Sequence, residues 1–280
     1  MGTTERLRSA LDSERLPETV RAVVGLAHER RVTTAAASLG YHAFNTLVPL
    51  ALFLVIGLSL FGEAETLTRL VSTALGVGSA SAESAVRSLS ENASGRRRAA
   101  VLAFLILAWS AVRTFRATNA AFVSIYGERD GLSVVERAVD VGLATVTIPL
   151  ALALVAGLGV AFTLAVDGVF WRLASPFLLF AALAVAFFPM YYLFPTDRVT
   201  VREVVPGTLL AAGAWTLSAL LFRVYASVSQ TVHFYGVVGG LLLLLTWLYL
   251  GGLAILLGAV VNAVLAGRAA PSDEWLPELQ

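Results

Sequence analysis

Six largely apolar stretches, at about 33–61, 99–126, 134–166, 174–194, 204–225 and 236–265, constrain this chain more than any other feature. An α-helix rises about 1.5 Å per residue, so about 20 apolar residues cross the roughly 30 Å hydrocarbon core of a bilayer. One water-soluble core cannot hide six such runs. The composition agrees, because 58% of the 280 residues are hydrophobic and only 14% charged, against about a quarter charged in soluble domains. The expected fold is all-α, a polytopic transmembrane bundle of about six spanning helices, with the lipid bilayer as its principal partner.

The flanking segments add detail. Residues 1–32 are polar and carry Arg6, Arg8, Arg15, Arg21, Arg30 and Arg31, without the apolar core and cleavage site of a signal peptide. The first membrane helix is therefore expected to direct insertion. Within this arm Leu16, Val20, Val23, Val24 and Ala27 recur at helical spacing opposite Arg21, His28 and Arg30, which predicts an amphipathic helix on the membrane surface. Residues 62–95 are too long for a turn and place Leu67, Leu70, Val71, Ala74 and Leu75 on one face, which predicts a short helical extracytoplasmic cap. The membrane domain then covers 33–267, and 268–280 form a tail. An even number of spans puts both termini on one side. With that side cytoplasmic, eleven arginines lie inside and six outside, the bias of a plasma membrane protein with cytoplasmic ends. The outside cluster Arg96-Arg97-Arg98 runs against this bias.

Several classes of chemistry are excluded. The net charge is +1 and the basic residues are scattered, so no nucleic-acid surface is expected. There is no cysteine, hence no disulfide or thiolate chemistry, and no lysine among the 20 basic residues. His28, His42 and His233 fall in three separate regions without metal-ligand spacing. No nucleophile elbow, zinc-protease helix or P-loop motif occurs. Neither a metal, a cofactor nor an enzymatic activity is expected.

Polar residues within the spans are the strongest functional pointers, since charge is costly in lipid. Arg113, Arg116 and Asn119 follow at intervals of three in the second span and share about 120° of one helix face. If that span starts near Arg98, the two arginines stand roughly 22 and 27 Å along it, in its cytoplasmic part. Two readings stand side by side: snorkelling of the guanidinium groups to the interface, or a cationic recess for an anionic lipid or small solute. Asp140 in the third span is the candidate counter-ion. His42 and Asn45 of the first span and Asn262 of the last complete the polar set, each also readable as a packing residue, Asn262 through a helix-to-helix hydrogen bond. Gly236, Gly240 and Gly258 offer close helix approach, within one subunit or in an oligomer. Pro49, Pro149, Pro206 and Gly207 are candidate bends or hinges, with Pro149 expected to kink the third span.

Particular residues, in order, resemble one family. They are Ala36-Ala37-Ser38-Leu39-Gly40-Tyr41 followed by Pro49, then Asn119 and Tyr126, Pro206-Gly207 opening the fifth helix, and Tyr235-Gly236. Trp247, Tyr249, Gly258, Ala259 and Asn262 close the series. This pattern resembles the YihY/BrkB family, once labelled ribonuclease BN, over roughly residues 20–267. The resemblance implies a six-helix inner-membrane fold with cytoplasmic termini. It implies no established activity, and transport or export is the usual conjecture. Function is expected along one of two lines: a transporter or exporter of a small solute or anionic lipid, or a non-catalytic membrane scaffold or envelope factor.

Overall fold

The computed structural model describes residues 18–59, 93–127, 169–195, 199–228 and 230–272. Among the described residues the secondary structure is entirely helical. We number the helices α1 (Glu18–Glu29), α2 (Val32–Ser59), α3 (Ala93–Tyr126), α4 (Val169–Leu193), α5 (Val201–Val228) and α6 (Gln230–Leu265). Four of them contain segments long and apolar enough to cross a membrane: Ala100–Tyr126, Ala174–Leu193, Val201–Leu221 and Gly239–Leu265. α2 runs over Val32–Ser59, where the first span is expected. Most of the expected cap, and the third span with Asp140 and Pro149, lie outside the described residues.

The helix ends explain where the elements stop. α1 and α2 are separated at Arg31, whose φ of 49° lies in the left-handed region. Its N–H donates to the His28 carbonyl at 3.0 Å, and the next helix begins as Thr34 N–H donates to the Arg31 carbonyl at 3.0 Å. α6 ends in a Schellman motif. Gly267, at φ 63°, supplies the left-handed residue; its N–H reaches the Val264 carbonyl at 3.0 Å and that of Arg268 the Ala263 carbonyl at 2.9 Å. Those bonds satisfy carbonyls that a helix terminus otherwise leaves open. α5 begins behind Thr200, which stands three residues before Glu203 in capping-box spacing. The Thr200 hydroxyl donates to Glu203 Oε1 at 3.0 Å. Because this start lies at Val201, Pro206-Gly207 sits in the second turn of α5 and does not open it.

The described helices fall into two compact units. One takes in α1, the start of α2, the end of α3, α4, most of α5 and the second half of α6. Its core holds Phe122, Ile125, Tyr191, Val204, Leu256 and Val260, each at most 1% exposed. Small residues rather than large ones set its tightest contact. A Cβ on Gly207 would overlap the Gly258 carbonyl oxygen and the Asn262 carboxamide, and one on Gly258 would overlap the Tyr191 hydroxyl and the Gly207 carbonyl. α5 and α6 therefore meet backbone to backbone, as small residues allow in membranes. A second contact follows at Gly251, where the Trp215 ring occupies the space of a Cβ. There Trp215 Nε1–H donates to the Gly251 carbonyl at 3.0 Å. In the same unit, α1 buries Leu26, and its Glu29 carboxylate accepts from the Ser272 N–H at 2.9 Å.

The other unit contains the larger parts of α2 and α3 and the first half of α6. Its clearest link is a set of hydroxyls. Thr46 Oγ1 lies 2.9 Å from the His42 carbonyl, 2.8 Å from Ser110 Oγ and 3.0 Å from Thr114 Oγ1. α2 and α3 are thus joined by side-chain hydrogen bonds inside apolar helices, where few competing partners exist. Gly240 behaves differently from the glycines of the first unit. Among the described residues, no atom lies within 4 Å of the place its Cβ would take, so the close packing expected there is not required by them.

The contrast between these glycines predicts a measurable difference. Gly207→Ala forces α5 and α6 apart and is expected to destabilise the protein by about 1–3 kcal/mol, the usual cost of overpacking. Gly240→Ala is expected to stay within about 0.5 kcal/mol of the parent. Thermal unfolding in one detergent, followed by circular dichroism, checks the pair.

Candidate functional site

α3 carries the arginine stripe. Arg113 and Arg116 lie inside the candidate span Ala100–Tyr126, and both are exposed. Among the described residues neither forms an ion pair or a hydrogen bond. Asn119, three residues beyond Arg116, is half-buried. The same helix shows why the stripe faces outward. Ser110 and Thr114, one turn apart, turn toward α2 and the Thr46 hydroxyl. Helical spacing sets Arg116 about 120° round from Ser110. α3 therefore has a hydroxyl edge bonded to α2 and an arginine edge left open. The apolar residues around that edge are exposed too, Trp109 at 69%, as for a surface solvated by lipid.

His42 and Asn45 belong to the α2 side of this unit. His42 is half-buried, with its ring edge-on to Tyr41 at 5.7 Å, and its carbonyl accepts from Thr46 and, at 3.3 Å, from Thr114. Asn45 is exposed. Pro49 lies within α2 and is buried. A proline there has no N–H for the carbonyl of Asn45, one turn earlier.

Asn262 sits in the other unit and is 1% exposed. Its Oδ1 accepts from the Gly207 N–H at 2.6 Å, and its Nδ2 donates to the Val204 carbonyl at 3.0 Å. Both ends of the carboxamide are thus engaged with α5, and the side chain holds helices together. Gly258, one turn earlier, receives the Tyr191 ring, whose hydroxyl donates to the Ile255 carbonyl at 2.6 Å. The Tyr191 ring lies 5.7 Å from that of Phe122, which in turn stacks on Tyr126 at 6.4 Å. Near the end of α6, Arg268 Nε pairs with Glu203 Oε2 at 2.7 Å. Both partners keep about a quarter of their side-chain surface exposed, so the pair sits at a boundary where a salt bridge is worth little by itself but fixes which ends meet. Pro206 is half-buried beside this contact in sequence, and Gly236 lies within α6. Asp140 and Pro149 lie outside the described residues.

Sequence reasoning singles out neither Glu203, Tyr191, Trp215, Thr46 nor Ser110, and reaches Arg268 only as an inside arginine and Thr114 only as a neighbour of Arg113 and Arg116. The capping-box spacing at Thr200 and Glu203 was the one local signal for any of them; their partners stand 36 to 68 residues away.

Known proteins resolve the family. The family described as Virulence factor BrkB matches residues 23–278. The chain belongs to the BrkB family. Shorter matches connect it to curated proteins. It is 34% identical over 93 residues to a ribonuclease-like protein, YfkH, of Bacillus subtilis (strain 168), covering 33% of this chain and 34% of that one. It is 32% identical over 97 residues to a UPF0761 membrane protein of Pseudoalteromonas translucida (strain TAC 125), covering 34% and 31%. A UPF0761 membrane protein of Janthinobacterium sp. (strain Marseille) is 40% identical over 82 residues, 29% of this chain and 19% of that one. These alignments span between 19% and 34% of the curated relatives' length. No solved structure matches. The BrkB assignment and the apolar helices together make this a membrane protein.

Asn262→Ala leaves the Gly207 N–H and Val204 carbonyl without their side-chain partner and is expected to cost about 1–3 kcal/mol. Asn262→Asp keeps an acceptor for Gly207 but has no donor for Val204. It is expected to be no more stable than Asn262→Ala, because a buried carboxylate must also shed water. Chemical denaturation in detergent orders the three proteins.

Proposed function

We propose that this protein is a non-catalytic transporter or exporter of the plasma membrane, with cytoplasmic termini, that handles an anionic solute or lipid through the arginine edge of α3. The observation that carries this reading is the pair Arg113 and Arg116, exposed within an apolar span and without a partner among the described residues. A guanidinium in that setting is held at a cost unless something anionic meets it. Its planar fork matches phosphate and carboxylate oxygens in pairs. Asn119 extends the edge by one more turn with a side chain that both donates and accepts. The hydroxyl set supports the reading mechanically. By bonding α3 to α2 on an adjoining edge, about 60° from Arg113 and 120° from Arg116 at the Ser110 position, Thr46, Ser110 and Thr114 fix the rotation of α3 that leaves the arginines exposed.

The ribonuclease-like wording attached to YfkH concerns that protein, and the polar residues of α2 and α3 offer no acid–base pair for phosphodiester hydrolysis. Among the described residues no group of three or more His, Asp or Glu is placed to hold a metal ion.

The test is flux from vesicles made with and without anionic lipid. In protein carrying Arg113→Gln and Arg116→Gln together, uptake of small organic anions, or movement of labelled anionic lipid between leaflets, is expected to fall at least about tenfold, as loss of two charge-assisted contacts implies. Single substitutions fall between. Unchanged flux in folded double variant removes the transport reading and leaves a scaffold role.

A further inference from the structure

Neither the arginine edge of α3 nor the α5–α6 seam uses the outer side of the α4–α5 pair. There Ala184, Val185 and Phe188 of α4 and Val205, Thr208 and Leu209 of α5 line a groove of about 290 Å³, open along its outer side. The one polar group in that lining is already occupied, since the Thr208 hydroxyl donates to the Val204 carbonyl at 2.7 Å. The groove therefore presents carbon. Both helices contain segments long and apolar enough to cross the membrane, a setting in which a groove of carbon suits hydrocarbon. Its volume is near the bottom of the roughly 300–1,000 Å³ that enclose small molecules. A slot this small and open suits part of a flexible chain.

One end of the groove is polar. Arg202 stands three residues before Val205 and seven before Leu209, so the three share one face of α5. Arg202 is exposed and forms no ion pair or hydrogen bond among the described residues. The neighbouring carboxylate, Glu203, is taken by Arg268. Toward the same end of α4, Tyr192 is 44% exposed and its ring stacks on Phe188, 5.8 Å away and 14° from parallel. Tyrosine is favoured at the membrane–water interface because one end is apolar and the other wet. An apolar slot headed by an open guanidinium and a phenol has the chemical order of a phospholipid.

We propose that this groove retains an anionic phospholipid, with one acyl chain along Val185, Phe188, Val205 and Leu209 and the phosphate on Arg202. The assignment is independent of the transport reading, because it uses no residue of α3. It predicts selectivity as well as occupancy. Bulk lipid filling the groove by contact alone would show no preference for headgroup charge, whereas a guanidinium at its head favours net negative lipid.

The experiment exposes the purified full-length chain to equal amounts of phosphatidylglycerol and phosphatidylcholine in detergent and counts retained lipids by native mass spectrometry. The wild type is expected to retain phosphatidylglycerol about fivefold over phosphatidylcholine, the preference that one basic residue near a membrane surface confers. In protein that also carries Arg113→Gln and Arg116→Gln, so that lipid held at the α3 edge is not counted, Arg202→Gln is expected to bring the ratio to about one with total retention largely kept. Leu209→Trp fills the groove from an exposed position and is expected to lower retention of both lipids. Circular dichroism and a single size-exclusion peak establish that each variant is folded. Equal retention of the two lipids by the wild type overturns the proposal, and so does a preference that survives Arg202→Gln in the background without the α3 arginines, or retention untouched by Leu209→Trp.

Discussion

Two helices side by side in a bilayer gain little from burying apolar side chains against each other, because lipid tails are equally apolar. Association must come from contacts that lipid cannot imitate. Between α5 and α6 that contact is the direct approach of two backbones at Gly207 and Gly258. Once they are that close, the Asn262 carboxamide spans the gap and bonds both a backbone donor and a backbone acceptor of α5. Its neighbours follow from the same approach. Tyr191 reaches over Gly258 to the Ile255 carbonyl, and the Phe122 ring packs behind it. The apolar core of this unit is arranged around a junction made of small and polar residues.

How much of this was legible in the sequence depends on the kind of signal. Length and hydropathy identify helices because they are properties of a continuous segment, and α4, α5 and α6 each include an apolar run. Each begins three to six residues earlier than the apolar run, because a helix continues past the hydrocarbon until a cap ends it. Thr200 and Glu203 were a readable cap. The resemblance singled out Gly207, Gly258 and Asn262 but did not say that they touch. That fact depends on which face each helix turns to the other, and a helix apolar on all sides carries no such information. α6 is this case, with leucine runs on every side. Glycine alone was ambiguous for the same reason: Gly258 is indispensable to a contact while Gly240 meets nothing among the described residues.

The polar residues of α2 and α3 divide along similar lines. A charge in an apolar run is visible at once, so Arg113 and Arg116 were plain. The hydroxyls of Thr46, Ser110 and Thr114 were not, since serine and threonine sit comfortably in membrane helices by returning their hydrogen bond to their own backbone. Thr114 does so at 3.1 Å. Only the proximity of two helices turns three unremarkable residues into a junction, and only that junction explains which way the arginines face.

The seam between α5 and α6 also limits how this protein can move. Its contacts occur at three heights: Glu203 with Arg268, Gly207 with Gly258 and Asn262, and Trp215 with Gly251. From Glu203 to Trp215, both within α5, the axial distance is roughly 18 Å at helical rise. One pin permits swivelling and two permit tilting about the line between them, but three spread over more than half of a bilayer's depth permit neither sliding nor splaying. The pinned lengths of α5 and α6 therefore form a single stiff strut, and any rearrangement of the protein must bend or rock it at joints elsewhere.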